Sequence, residues 1–483
     1  MSLFLLLSTA LASPADFYGF GGKTIGQGGG GVAAVNDSSA CFLNPAGLSQ
    51  MDQPELLYGA SIIRFNMPDL PDLHWDTNRD GTINSSDPAL KVDPTPDPAD
   101  GAAIAFSTPV LDRFHVGAAL FLPFSHLTRF QTFDPAIPTY FMLENRLHRY
   151  ALAMAGSVEL PHGLSFGLGA RFLVRSPLAI HFTLSAGVSA EDAAAGEDEY
   201  VDVEVDVHAI DLRLKADAVP TFGLLWDLGE TSPVLEGLRF GISGRGEASM
   251  DIDVVMDGQI NASLEDAGTL EDTALALIYY SKVQILDHFL PRELQVGLAY
   301  SPNSRLDTYL DARFTQYSRM EINVAQTSDA VLEATLADLS ASGIGDGNPL
   351  DLGLEDTLSF RTGLSLRFPE WELGRKLGKI QLTPRGGFGF VPSPLESQST
   401  DSALLDSDRL VFALGLGAVH QFEALGQSRR LEWDVYGQMH QLASGQLARP
   451  SSDPLVAGTP IDSDSVPIGG RVFIAGAQTR FQY

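Results

Sequence analysis

The stretch Leu306-Asp307-Thr308-Tyr309-Leu310-Asp311-Ala312-Arg313-Phe314 alternates without a break. Leu306, Thr308, Leu310, Ala312 and Phe314 fall on one face of an extended chain, and Asp307, Tyr309, Asp311 and Arg313 on the other, because successive strand side chains point to opposite sides. The same period returns at 210–217, where Ile210, Leu212, Leu214 and Ala216 alternate with Asp211, Arg213, Lys215 and Asp217. It returns again where Leu431, Trp433 and Val435 alternate with Glu432, Asp434 and Tyr436. A soluble sandwich also alternates apolar with polar. The distinguishing feature here is a polar face that carries charges of both signs along long strands. That is the pattern of a wall with lipid outside and a polar lumen inside.

Working outward from that stretch, about fourteen such segments can be laid along the chain. Their centres fall near residues 60, 105, 118, 153, 170, 218, 243, 296, 311, 363, 385, 415, 436 and 476. The connectors alternate in length. Short ones include 109–112, 161–163, 230–233, 302–304 and 424–427; long ones are 67–99, 125–146, 180–207, 252–289, 318–356, 393–408 and 443–466. Strict short–long alternation suits an up-and-down barrel with periplasmic turns and extracellular loops. The expected fold is therefore all-β, a transmembrane antiparallel up-and-down β-barrel.

Composition agrees. The 483 residues hold 31 Lys+Arg against 61 Asp+Glu, a net charge of −30, yet the mean hydropathy is +0.04. Both are possible at once if acids are segregated from apolar segments, and they collect in the long connectors, most densely at Glu197–Asp206. So acidic a chain is no nucleic-acid binder, which needs a basic face. The single cysteine, Cys41, excludes an intramolecular disulfide and reads as a small buried filler.

The first residues, Leu3 to Leu7 followed by Ala10-Leu11-Ala12, match the apolar core and small-x-small cleavage site of a signal peptide over 1–12, without a basic n-region. Residues 13–51 are small and poorly periodic, with Gly28 to Gly31 in a run. Gly26-x-Gly28-x-x-Gly31 fits a dinucleotide pattern by letters alone, with no buried strand before it. The remainder, 52–483, forms the barrel with its loops.

One loop carries sharp chemistry. Residues 76–87 follow a twelve-residue calcium loop: Asp76, Asn78, Asp80, Asn84 and Asp87 offer side-chain oxygens, Thr82 a carbonyl, and Gly81 the sharp turn. Ca²⁺ is the expected ion, because it needs several hard oxygens converging on one point. With prolines crowding the flanks, the loop reads as a structural staple and not as a sensor. A second loop has a helical spacing, with Thr269 as N-cap and Leu275, Ile278, Tyr279, Val283 and Leu286 recurring on one face. A third shows Leu332, Leu336 and Leu339. Such faces either pack on neighbouring loops or form a groove for a ligand. No catalytic constellation is present: the ten histidines lack ligand spacing, and there is no Gly-x-Ser-x-Gly elbow. The chain is not expected to be an enzyme.

The segment Gly30-Gly31-Val32-Ala33-Ala34-Val35-Asn36-Asp37-Ser38-Ser39-Ala40, followed by Asn44-Pro45-Ala46-Gly47-Leu48, resembles the hatch of the FadL/TodX-type outer-membrane transporters of long-chain fatty acids and aromatic hydrocarbons. The resemblance implies a fourteen-stranded barrel in the outer membrane of a Gram-negative bacterium, plugged by residues 13–51, with Asn44, Pro45 and Ala46 as the hatch motif. It also implies that a hydrophobic ligand lands between the third and fourth long loops and leaves sideways into lipid at a kinked third strand. Here that strand holds Gly117 and Pro123. The partners implied are the hydrophobic small molecule, outer-membrane lipid and the barrel-assembly machinery, which would read the C-terminal strand ending in Tyr483. The calcium loop and the acidic 191–206 stretch depart from the family pattern. The expected function is passive transport of hydrophobic small molecules; the alternative is a structural or adhesive barrel with calcium-stapled surface loops.

Overall fold

The computed structural model describes residues 18–70, 95–124, 151–175, 178–188, 201–212, 215–264, 273–320, 353–374, 378–395, 405–424, 427–448 and 465–483, with positions 73–74, 89–90, 93, 140 and 143 between them. Fourteen antiparallel strands form one closed wall: β1 Glu55–Asn66, β2 Gly101–Leu111, β3 Phe114–Pro123, β4 Ala151–Glu159, β5 Leu164–Arg175, β6 Lys215–Asp227, β7 Leu238–Arg245, β8 Glu293–Tyr300, β9 Leu306–Thr315, β10 Thr357–Leu366, β11 Gly378–Val391, β12 Arg409–Ala424, β13 Gln427–Ala448 and β14 Ser465–Gln482. Each strand pairs with its sequence neighbours, and β14 returns to β1 with Glu55 opposite Gln482. Closure leaves no unpaired edge, which is how a sheet can sit in hydrocarbon. All fourteen centres expected from the alternation lie within these strands.

The alternation sets the two faces. On β9, Leu310 and Phe314 point outward while Tyr309, Asp311 and Arg313 are buried in the lumen; on β13, Trp433 and Val435 face out while Glu432, Asp434 and Tyr436 face in. Outside, the wall is apolar on every side, for example Leu56, Phe106, Leu168, Leu298, Leu364 and Leu414. Among the described residues no helix is long and apolar enough to cross a membrane; the strands do the crossing.

Two long connectors differ from the sequence reading. Leu178–Val188 pairs with Val201–Leu212, and Ala248–Leu264 with Thr273–Leu290, as hairpins lying side by side. The alternating 210–217 stretch is thereby shared between a hairpin strand and β6. The helical spacing at 269–286 is overturned, because Thr273–Leu290 is a strand. Its Ile278-Tyr279-Tyr280 and Val283 favour an extended backbone, and a matching strand offers ladder bonds that an isolated loop helix would not have. Leu275, Ile278, Tyr279, Val283 and Leu286 all lie within the Thr273–Leu290 strand.

Residues 18–51 are enclosed by the wall as short turns, the helical segments Gly22–Ile25 and Ala40–Leu43, and a 3₁₀ turn at Pro45–Gln50. The expected signal peptide and residues 13–17 lie outside the described residues.

The filled lumen and its apolar wall as the candidate functional site

Asn44 anchors the internal segment. Its backbone is extended and its side-chain oxygen accepts from Ala46 N–H at 3.1 Å, capping the 3₁₀ turn with Pro45 at the first position. Its amide donates to Val32 C=O at 2.8 Å and to Leu224 C=O of β6 at 3.1 Å. One fully buried side chain therefore ties the turn to the glycine-rich lead and to the barrel. The socket consists of paired glycines: Gly167 of β5 lies opposite Gly223 of β6. A Cβ on Gly167 would stand 2.7 Å from Pro45 Cβ, and one on Gly223 would stand 2.9 Å from Ala46 N. Farther round, Gly241 meets Val32 C=O and Gly387 meets Gly28 N in the same way. Glycine recurs at inward positions because main chain packs on main chain there.

The lumen is divided by chemistry. On the β8–β14 side, polar groups bind the backbone of the segment. Asp311 accepts from Gly31 and Val32 N–H, Tyr309 donates to Gln27 C=O at 2.5 Å, Arg361 donates to Gly28 C=O at 2.5 Å, and Gln438 donates to Ile25 C=O at 2.6 Å. These bonds satisfy backbone groups that no helix or ladder serves. Arg385 of β11 and Arg480 of β14 share Glu432 and Asp434 of β13, and Arg480 reaches Asp37 of the segment at 2.8 Å.

On the β1–β4 side the lumen is mostly apolar, with Glu55, Ser107, His115 and Ser157 as buried polar groups. Phe20, Cys41, Phe42, Leu43 and Leu48 of the segment pack on Leu57, Ala105, Ala119, Phe121 and the alanines 151, 153 and 155. Phe20 stacks on Phe42 with centroids 4.4 Å apart, and Arg171 lies over the Phe42 ring at 5.1 Å. Burial pushes the Cys41 thiol up to about 12. The wall is thin at Gly117 of β3, where a Cβ would stand 2.8 Å from Cys41 Sγ and 3.0 Å from Leu48 Cδ2. Outside the same spot is a hollow of about 450 Å³, lined by Phe106, Val116, Ala118, Met154, Gly156 and Leu168. The β3 ladder runs unbroken from Phe114 to Phe121 on β4, and from Phe114 to Pro123 on β2 with a register shift at Pro109/Leu111. Gly117 and Pro123, which lie in the strand where the resemblance implies a kink, thus sit within paired strand.

Beneath the segment, at the short-turn end, lies a polar cavity of about 620 Å³ bordered by Lys23, Asn36, Asp307, Arg367, Glu432 and Arg480 among others. Lys23 Nζ donates to Asn36 Oδ1 at 2.5 Å. Desolvation lowers its pKa to about 8, with Asp37 opposing and Arg480 and Arg385 adding to the drop.

Of the residues singled out in the sequence, the structure brings Asn44, Pro45 and Ala46 together in the glycine socket. The loop of Asp76, Asn78, Asp80, Thr82, Asn84 and Asp87 lies outside the described residues. So does the 332–339 spacing. The glycine socket and the buried arginine–carboxylate cluster escaped sequence reasoning. Their only sequence signal is position: glycines and charges on the inward parity of strands whose register is already known.

The profile of a family described as "Outer membrane protein transport protein (OMPP1/FadL/TodX)" matches residues 21–424. Among solved structures, a Pseudomonas aeruginosa FadL homologue superposes with a TM-score of 0.55 at 14% identity, covering 98% of this chain and 99% of that one. The P. putida toluene transporter TodX gives 0.49 at 13% identity, with 96% and 99% covered. The Ralstonia pickettii toluene transporter TbuX gives 0.45 at 14%, also with 96% and 99% covered. No curated protein sequence matches.

Proposed function

Because the chain belongs to the outer membrane protein transport protein family (OMPP1/FadL/TodX), we propose that it carries hydrophobic small molecules, long-chain fatty acids or aromatic hydrocarbons, passively across the outer membrane. Residues 13–51 act as the hatch, and the ligand leaves sideways through the wall at β3. One observation carries the lateral route: the apolar half of the lumen backs onto the wall at Gly117, where no side chain intervenes, and the outer face is hollow at that point. A hydrocarbon gains by staying out of water, so an apolar path into lipid is favoured over the polar cavity below. Small residues at Gly117, Ala118, Ala155 and Gly156 keep the wall narrow there.

The test is uptake of oleate and of toluene by liposomes holding the purified protein. Wild type is expected to exceed empty liposomes for at least one of them. Gly156→Trp fills the outer hollow from a position where a Cβ meets its neighbours at ordinary 3.5 Å contacts, so the fold should tolerate it. Uptake should fall about tenfold or more, the effect of raising the barrier by roughly 1.4 kcal/mol. Wild-type uptake in that variant would move the exit elsewhere, and no uptake by wild type would remove the transport reading.

A further inference from the structure

Residues 18–51 carry only two charged side chains, Lys23 and Asp37. Among the described residues Asp37 makes the single ion pair between this segment and the barrel, 2.8 Å to Arg480 of β14, with both side chains almost fully buried. The neighbourhood is lopsided in a useful way. Arg480 also meets Glu432, and it has Asp434 at 3.6 Å and Glu55 at 4.0 Å; Arg385 stands on the same two β13 carboxylates. Losing a partner is costly when it strands a buried charge. Here the guanidinium keeps three carboxylates of the wall when Asp37 departs, so the barrel half of the contact survives its opening. The departing carboxylate has somewhere to go, because Lys23, Asn36, Glu432 and Arg480 border the polar cavity at the short-turn end. The next residue, Ser38, is held by Glu55 through its N–H at 2.9 Å and its hydroxyl at 2.6 Å, so the same wall corner grips two successive residues.

We infer that Asp37 and Arg480 form the latch of the internal segment: a reversible ion pair whose release frees residues around 37–51 while the wall stays paired. Both are positioning residues, acting on the hatch and not on the ligand. The inference rests on the reading of residues 13–51 as the hatch.

The chain supplies its own reporter. Cys41 is the only cysteine, four residues beyond Asp37, buried against Gly117 and Leu48. A buried protonated thiol is inert, so its labelling rate follows the open population. The experiment is labelling of Cys41 by N-ethylmaleimide in the full-length protein in liposomes, without ligand, followed by mass spectrometry. Heat-dependent gel mobility confirms the folded barrel. Asp37→Asn keeps the oxygen that caps Ser39 but turns an N–H toward Arg480. It is expected to speed labelling about tenfold or more over wild type, as for loss of a buried charge contact. Asp37→Glu should stay near wild type. Gln27→Ala, which removes a neutral tie to Ser365, should speed labelling less than Asp37→Asn. If Asp37→Asn fails to fold, Asp37→Ser carries the same expectation. Labelling at the wild-type rate, or no faster than in Gln27→Ala, overturns the latch. Oleate and toluene uptake is measured separately. Faster labelling with no transport by wild type leaves the latch and removes the transport reading; unchanged labelling with normal transport does the reverse.

Discussion

Asn44 shows how much one side chain can do when its three hydrogen-bonding groups are spent inside a barrel. Truncating it to alanine would leave the Val32 carbonyl and the Ala46 N–H without their partner in a buried site. Each orphaned group costs roughly 1–3 kcal/mol. Asn44→Ala is therefore expected to raise hydrogen exchange across residues 30–50 while the strand amides keep their protection. Gly223→Val should act on the same contact from the other side, since its side chain would enter the space of Asn44 and Ala46. Equal exchange in both variants and wild type would show that the socket does not hold the segment. At this scale the sequence was half legible. Asn44-Pro45-Ala46 could be picked out as a motif, but Gly167 and Gly223 could not. A strand glycine acquires a meaning only when its neighbour strand and its facing are known, and both come from long-range pairing.

At the scale of elements, period two located every barrel strand, because lipid outside and polar lumen inside impose opposite demands on alternate residues. Beyond the membrane that demand lapses, and the 273–290 strand shows the consequence. An apolar segment at helical spacing there is decided by the partner strand it finds, which a local pattern does not contain. The loop at 76–87 is the opposite case, since its pattern carries its own chemistry. The short ladder of Leu73–His74 with Ala89–Leu90 brings the two ends of that loop together. We propose that Asp76, Asn78, Asp80, Thr82, Asn84 and Asp87 hold a structural Ca²⁺. Chelation with EDTA is then expected to expose the 67–99 loop to protease, with calcium restoring protection and the barrel's heat-dependent gel mobility unchanged. Cleavage that ignores both EDTA and calcium would dismiss the ion. An Asp80→Ala, Asp87→Ala double variant should be cleaved like the chelated wild type even in calcium.

The whole molecule separates its charges. The chain totals −30, yet the described interior buries seven arginines, among them Arg313, Arg361, Arg385 and Arg480, against six buried acids such as Asp37, Asp311, Glu432 and Asp434. The described interior is thus kept near neutrality although the chain as a whole is strongly acidic. A near-neutral bore can hold a segment by backbone hydrogen bonds and one ion pair without a large field to oppose its movement. The same arrangement makes the wall independent of its contents: Arg385 with Glu432 and Asp434, and Arg245 and Arg313 with Glu293, are pairings within the barrel. Deleting residues 18–51 should thus leave a folded, heat-modifiable barrel. Its lumen would then be lined by Tyr309, Asp311, Arg361 and Gln438 facing water in place of the backbone of the segment. Polar, hydrated walls conduct ions, as in wider porin barrels. In planar bilayers the deletion variant is expected to show stable ohmic conductance that wild type lacks, and Asp37→Asn to show brief openings between the two. A deletion barrel that runs as folded on gels but passes no current would mean that the loops, and not residues 18–51, seal the bore.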